Sequence, residues 1–269
     1  MSKSVTVTIC GAAGRMGQRL VQLIGENPDL KLVGAVDRRE SPYLGLDAGH
    51  IAGTGTLGVQ VTDDFGQAAG KCRVYLDFSS PEGAEDHVKI AAKAGAAAVI
   101  GVTALTDSAI AAINEASARI PVVFAPNMSF GVNLMYRLAA EAAAVLGRDY
   151  DIEIVETHHN RKRDAPSGTA IALLGHVAGA RGLDPKTCAV YGRQGTPGAR
   201  RREEIGVHAI RGGEIVGDHK VIFAGPGEIL EITHRAHSRD ALASGAVKAA
   251  FWIQGKKPGL YSFGDVLGL

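Results

Sequence analysis

Short apolar runs alternate with amphipathic stretches over the first half of the chain, and the pattern changes near residue 130. Val5–Cys10 reads as a β-rich run. Glycines follow, then a helical pattern over residues 15–25, and the next apolar run, Leu30–Val36, ends at Asp37. This is a β-α-β unit. Residues 41–70, rich in Gly, Asp and Thr, predict loops and one short strand. The alternation resumes with a strand over 74–79, then Ser80 as a cap, Pro81 in the first turn and an acidic Glu82. That helix should run to about residue 94, where Gly95 stops it. A strand over 97–102, a helix over 107–119 and a strand over 122–126 complete a pattern that favours a parallel sheet with right-handed crossovers. Beyond residue 130 the spacing predicts a helix over 132–147, a strand over 150–157 and a helix from 167 to about 180. Three β-like runs follow, at 207–211, 215–223 and 229–235, with Gly212-Gly213 turning a hairpin between the first two. Ser238 is placed to cap a last helix through about residue 254. A run of strands after α/β alternation predicts a second, α+β domain. No internal repeat or low-complexity tract is evident.

Composition narrows the class. The 269 residues are 46% hydrophobic and 21% charged, with a formal net charge of +1. This is the balance of a globular protein, with no basic excess for nucleic acid or an acidic membrane surface. Abundant glycine and scarce aromatics suit tight turns and close helix–sheet contacts. Cys10, Cys72 and Cys188 lie far apart, without metal-pair or disulfide spacing. No run approaches the roughly 18 apolar residues needed to span a bilayer, and no apolar signal core precedes the first strand. The expectation is a cytoplasmic protein.

Two segments carry chemistry. The first is Gly11-Ala12-Ala13-Gly14-Arg15-Met16-Gly17, between a strand and a helix. Glycine there lets the backbone approach a pyrophosphate, and the helix start contributes free amides. Asp37 stands 20 positions after Gly17, close to the spacing of a ribose-binding acid. Arg38 and Arg39 follow and can pair with a 2′-phosphate, so NADH and NADPH both fit. The plainer alternative is an ordinary strand–turn–helix with Asp37 in a solvated loop. Gly101, Val102 and Thr103, and likewise Ala125, Pro126, Asn127 and Met128, lie at the C-terminal ends of predicted parallel strands, where ligands of open α/β sheets bind.

The second segment, residues 153–170, reads E-I-V-E-T-H-H-N-R-K-R-D-A-P-S-G-T-A. His158 and His159 end a strand and should face opposite ways. Imidazole and ammonium groups, here with Lys162, move protons near neutral pH. Ser167-Gly168-Thr169 should open a helix whose first amides suit a carboxylate. Structural histidines and solvated Arg161 and Arg163 are the bland alternative, with Asp164 simply ordering the turn. A hydrolase using Ser167 lacks a G-x-S-x-G elbow, and adjacent histidines lack metal-ligand spacing.

This second segment closely resembles the signature of the dihydrodipicolinate reductase (4-hydroxy-tetrahydrodipicolinate reductase) family, with Glu153, Glu156, His158, Lys162, Asp164 and the run from Pro166 to Ala170 at its spacing. The resemblance extends to the G-x-x-G-R-M-G loop, to A-P-N-M-S-F-G-V-N at 125–133 and to R-G-G-E-I-V-G-D-H at 211–219. It implies an α/β fold: a Rossmann-like, parallel-sheet dinucleotide-binding domain (1–130 and 240–269) and a central α+β domain (131–239) with an open mixed sheet for substrate binding and oligomerisation, commonly into a homotetramer. It implies reduction, by NADH or NADPH and without a metal, of a cyclic imine dicarboxylate in diaminopimelate and lysine biosynthesis. His158 would be the proton donor or acceptor and Lys162 a proton donor, while His159, Gly168 and Thr169 would bind substrate. Gly11, Ala12, Ala13, Gly14, Arg15, Met16, Asp37, Arg38, Gly101, Val102, Thr103, Ala125, Pro126, Asn127 and Met128 would bind the cofactor. The alternatives are a related NAD(P)-dependent oxidoreductase acting on another small acid, and a non-catalytic dinucleotide sensor.

Overall fold

The structure, a computed structural model, describes residues 4–269. Along the chain, β1 (Val5–Cys10), α1 (Arg15–Glu26), β2 (Leu30–Val36), α2 (Ala48–Ala52), β3 (Val61–Thr62), α3 (Phe65–Ala69), β4 (Val74–Asp77), α4 (Pro81–Ala94), β5 (Ala97–Ile100), α5 (Asp107–Ser117) and β6 (Pro121–Phe124) come first. Then follow α6 (Phe130–Leu146), β7 (Asp151–His158), α7 (Gly168–Ala180), α8 (Pro185–Cys188), β8 (Ala189–Tyr191), β9 (Ile205–Arg211), β10 (Gly217–Gly225) and β11 (Glu228–Ala236). The chain ends with α9 (Asp240–Trp252), β12 (Gly259–Tyr261) and α10 (Phe263–Leu267). Residues 4–129 with 239–269 form one compact unit, and 130–238 form another.

The first unit is built on seven strands in the order β12-β6-β5-β4-β1-β2-β3, and every pairing is parallel. Six of them reproduce the doubly wound order, which reverses between β1 and β4. Strands sandwiched between helices must be apolar on both faces, and β4 (Val-Tyr-Leu-Asp) and β5 (Ala-Ala-Val-Ile) are buried at every position. Helix α1 covers one face through Leu20, Val21 and Ile24, a helical stripe next to Gly17. Helix α4 begins as its sequence predicts, with the Ser80 hydroxyl accepting from Gly83 N and Pro81 in the first turn. It ends at Gly95 in the left-handed conformation, φ 73°.

Residues 41–70 hold more structure than the expected loops. Asp47 caps α2, Asp64 caps α3, and β3 lies between them. Short side-chain-capped turns carry too little apolar periodicity to be legible in sequence. The last long helix also starts otherwise than expected. Arg239, not Ser238, is its N-cap residue and makes no side-chain capping bond.

The second unit is a mixed sheet, β11-β10-β7-β9-β8. β10 pairs antiparallel with β11 and β7, whereas β9 runs parallel to β7 and β8. Helices α6 and α7 bury one face, packing Met135, Ala139, Leu173 and Val177 with Ile152, Ile154, Val207 and Phe223. The other face carries Ile210 and Ile229, each at least half exposed. The hairpin expected at Gly212-Gly213 does not form. β7 inserts between β9 and β10, so the glycine turn passes over the end of β7, where Gly212 N donates to His158 O. The adjacent hairpin is β10–β11, turned through Gly227 with φ 82°.

Candidate active site

In the first unit the glycine loop makes the tight corner its sequence requires. Gly11 has φ +80°, and a Cβ there would lie 2.7 Å from Phe78 O. A Cβ on Gly17 would lie 2.1 Å from Gly11 O, so only glycine lets α1 sit this close to the end of β1. Gly14 is the N-cap residue of α1 and supplies no side-chain cap. The first amides of α1 therefore remain available to an anion. Asp37, at the end of β2, accepts from Ala13 N at 3.0 Å and from its own neighbour Arg38 N at 2.8 Å.

A cleft of about 680 Å³ gathers Gly11, Ala13 and Gly14 with Asp37, Arg38 and Arg39, at the switch point between β1 and β4. The remaining expected cofactor residues contribute differently. Ala12 is buried, Met16 is half-buried against the core, and Arg15 is exposed. Gly101, Val102 and Thr103 follow β5, and Ala125, Pro126, Asn127 and Met128 follow β6 at the same sheet edge, but none of them lines this cleft. Gly101 is a close-approach glycine, since a Cβ there would fall 2.2 Å from the Phe78 ring.

Sequence reading missed one group in this cleft. Asp77, fully buried at the end of β4, accepts from the Ser79 hydroxyl at 2.6 Å and pairs with His87 Nδ1 at 2.8 Å, and His87 lines the cleft. Cys10 joins them, its thiol pushed well up by burial and then by the Asp77 charge. The three bring potential ligand atoms within 4.8 Å of one another. Asp77 already spends both oxygens on His87 and Ser79. No spacing signal could have shown this group, because three separate elements supply it.

In the second unit, β7 alternates as predicted: Ile152, Ile154, Glu156 and His158 face the helices and are buried. The buried pair at its end forms a polar cluster. His158 Nδ1 lies 2.6 Å from Glu156 Oε2. Arg211, the last residue of β9, clasps Glu156 with two nitrogens, each at 2.8 Å. Ser167 N donates to Glu156 Oε1 at 2.9 Å. His219 of β10 places Nε2 3.0 Å from the Ser167 hydroxyl, and its ring meets that of His158 edge-on, with centroids 5.2 Å apart.

Burial lowers the His158 pKa against the raising effect of Glu156, and Lys162 and Arg211 push it further down. Burial likewise pushes His219 down to about 4, aided by His158. Burial alone would raise Glu156, but its bonds from Arg211, His158 and Ser167 hold it below the usual carboxylate range.

The expected substrate residues surround this cluster. Lys162 pairs with Asp164 at 2.9 Å, and the backbone of Asp164 accepts from Arg211. His159 lies just past the end of β7, half-buried, and its Nδ1 has no hydrogen-bond partner. The Ala165–Pro166 peptide is cis. Ser167 caps α7, accepting from Ala170 N, and is buried, so its hydroxyl is a helix cap and not an exposed nucleophile. Gly168 is exposed, and nothing crowds its α-carbon. Tyr136 of α6 bonds the Thr169 side chain, while burial pushes its own phenol up to about 12. Arg211 and His219 were missed as site residues in the sequence. They sit in the R-G-G-E-I-V-G-D-H run, but only the strand pairing shows that both ends of that run return to Glu156 and His158.

Comparison with known proteins finds matches to both units. The family model described as dihydrodipicolinate reductase, N-terminus, matches residues 5–128, and the one described as dihydrodipicolinate reductase, C-terminus, matches 131–267. The 4-hydroxy-tetrahydrodipicolinate reductase of Alkalilimnicola ehrlichii is 51% identical over 98% of both chains. The protein of the same name from Anaeromyxobacter sp. strain Fw109-5 is 52% identical, again over 98% of both. Among solved structures, dipicolinate-bound dihydrodipicolinate reductase from Paenisporosarcina sp. TG-14 superposes with a TM-score of 0.76 at 24% identity, covering 96% of this chain and 97% of that one, a likeness of fold. A glycine corner at the start of α1, a buried histidine–carboxylate cluster beside the start of α7, and full-length relatives at half identity together place this chain in the dihydrodipicolinate reductase family.

Proposed function

We propose that this chain catalyses the NAD(P)H-dependent reduction of 4-hydroxy-tetrahydrodipicolinate to tetrahydrodipicolinate, with loss of water, in diaminopimelate and lysine biosynthesis. The observation that carries the reading is the single hydrogen-bonded cluster that joins the His158 imidazole to the Ser167–Gly168–Thr169 helix start. It puts a proton donor beside amides that can hold a carboxylate. The relatives at half identity bear the same name as this reaction.

The first unit fits a nicotinamide dinucleotide. Its glycine corner would be filled by any Cβ, its helix start lacks a side-chain cap, and Asp37 stands at the cleft edge with Arg38 and Arg39. Gly11, Ala13 and Gly14 would receive the pyrophosphate, Asp37 the ribose hydroxyls, and Arg38 a 2′-phosphate. The backbones of Ala12, Arg15, Met16, Gly101, Val102, Thr103, Ala125, Pro126, Asn127 and Met128 would complete the site. The bound cofactor supplies the hydride.

The residues of the second unit bind the substrate and move protons. Gly168 and Thr169 hold one carboxylate through their amides and the threonine hydroxyl. His159, the next residue after His158, meets the substrate's other polar groups. As negative charge builds on the ring, protonated His158 stabilises it and donates from Nε2, its Nδ1 being engaged by Glu156. Lys162, held by Asp164, adds a second cationic donor. A homotetramer assembled through the open sheet face is part of the proposal, supported by exposed Ile210 and Ile229 on that face. So is a cytoplasmic location, supported by three unbridged cysteines.

Replacing either His158 or Lys162 with alanine should lower kcat by about 10²-fold or more. Near-normal turnover in both variants would remove the assignment.

A further inference from the structure

Glu156 lies at the meeting point of three chain segments. It is fully buried, and both of its oxygens are occupied. Oε2 faces His158 Nδ1 at 2.6 Å and one Arg211 nitrogen at 2.8 Å. Oε1 takes the other Arg211 nitrogen at 2.8 Å and Ser167 N at 2.9 Å. Two of these donors, the guanidinium and the amide, cannot give up their protons at any working pH. The carboxylate is therefore held ionised, and it acts as the acceptor toward His158. The imidazole must then carry a proton on Nδ1, which leaves Nε2 as the exchangeable position.

A second observation lies on the opposite side of the ring. Gly217, the first residue of β10, faces His158, and a Cβ there would sit 3.0 Å from Nε2. Its backbone is not left-handed, so the glycine is not required by its dihedrals. What it does is leave the Nε2 edge open.

We propose that Glu156, clamped by Arg211, is the positioning residue for the proton donor, fixing His158 with Nδ1–H on the carboxylate and Nε2 directed at the opening that Gly217 leaves. The same carboxylate orients Ser167 N and so ties the carboxylate-binding helix start to the donor. This rests on the reading of His158 given above. The other charged or titratable groups around His158 are Lys162 from the loop, itself paired with Asp164, Arg211 from β9 and His219 from β10. None of them accepts at Nδ1.

The test begins with the unaltered protein. In protein labelled with 15N-histidine, above the histidine titration range, the His158 ring nitrogens should report the Nδ1–H form, the signals being assigned by their loss in His158→Gln. An Nε2–H ring overturns the proposal. Glu156→Gln keeps the shape and removes the charge. It should lower kcat by about tenfold or more, leave KM for NADPH unchanged and move the alkaline limb of the kcat profile to lower pH, because the group that raises the His158 pKa is lost. A folded Glu156→Gln protein with the unaltered pH profile also overturns it. Should that variant not fold, Gly217→Ala decides alongside the tautomer: the methyl should lower kcat with KM for NADPH unchanged, and an unaffected kcat counts against the proposal. Failure of the underlying reading looks different, since His158→Gln would then turn over normally whatever the tautomer.

Discussion

Asp37 and the two arginines after it show how much a single position can decide. The Asp37 carboxylate already bonds an amide of the glycine loop, so it links the two halves of the proposed cofactor site. Arg38 and Arg39 are the cations flanking it in the cleft. Because a charge-assisted bond to a buried or half-buried group contributes about 1.5–3 kcal/mol, replacing both arginines with alanine should raise KM for NADPH by roughly tenfold or more while changing KM for NADH much less. Equal changes for the two cofactors would show that neither arginine reads the 2′-phosphate. These residues were legible in sequence because loop, strand and acid fall in order along a short stretch. The Asp77–His87 pair in the same cleft was not, because its members acquire meaning only when β4 and α4 meet.

At the scale of elements, α1 depends on a contact that only a missing side chain permits. A Cβ on Gly17 would fall 2.1 Å from one backbone atom and 2.6 Å from another, neither of which can rotate aside. Gly17→Ala should therefore push α1 away from the end of β1, costing about 1–3 kcal/mol or more in stability and weakening NADPH binding together with it. A variant with unchanged melting and unchanged KM would contradict the proposed geometry. Strands and helices of the first unit were readable because apolar runs and caps such as Ser80-Pro81 carry local signals. The pairing in the second unit was not. Gly212-Gly213 has the chemistry of a hairpin turn, yet β7 occupies the space between β9 and β10. A strand's partner is chosen by the faces of the whole sheet, and no local spacing records it.

For the whole molecule, buried histidines and clustered ion pairs set the response to acid. His219 ordinarily titrates near 6.5, and in the folded chain burial pushes it down to about 4. The unfolded chain thus binds the extra proton first, and stability falls as pH drops from 6.5 toward 4. Glu153 adds a second loss at lower pH. Burial would raise it, but Arg193, His208 and Arg200 bring it down to about 2, so its contribution is present above 4.5 and disappears as pH approaches 2. Melting curves between pH 7 and 4 should show this slope, and His219→Gln should make it shallower; an unchanged slope would assign the acid sensitivity elsewhere. The resemblance that anticipated the fold took in residues 153–170, the glycine loop and the runs at 125–133 and 211–219, and the structure adds that Arg211 and His219, from β9 and β10, close the cluster around Glu156 and His158. The reading of the chain as a reductase is tested most directly by following NADPH absorbance with purified protein and the cyclic substrate generated in situ. Oxidation well above background that depends on the substrate is the predicted result, and no oxidation above background with either NADPH or NADH would contradict it.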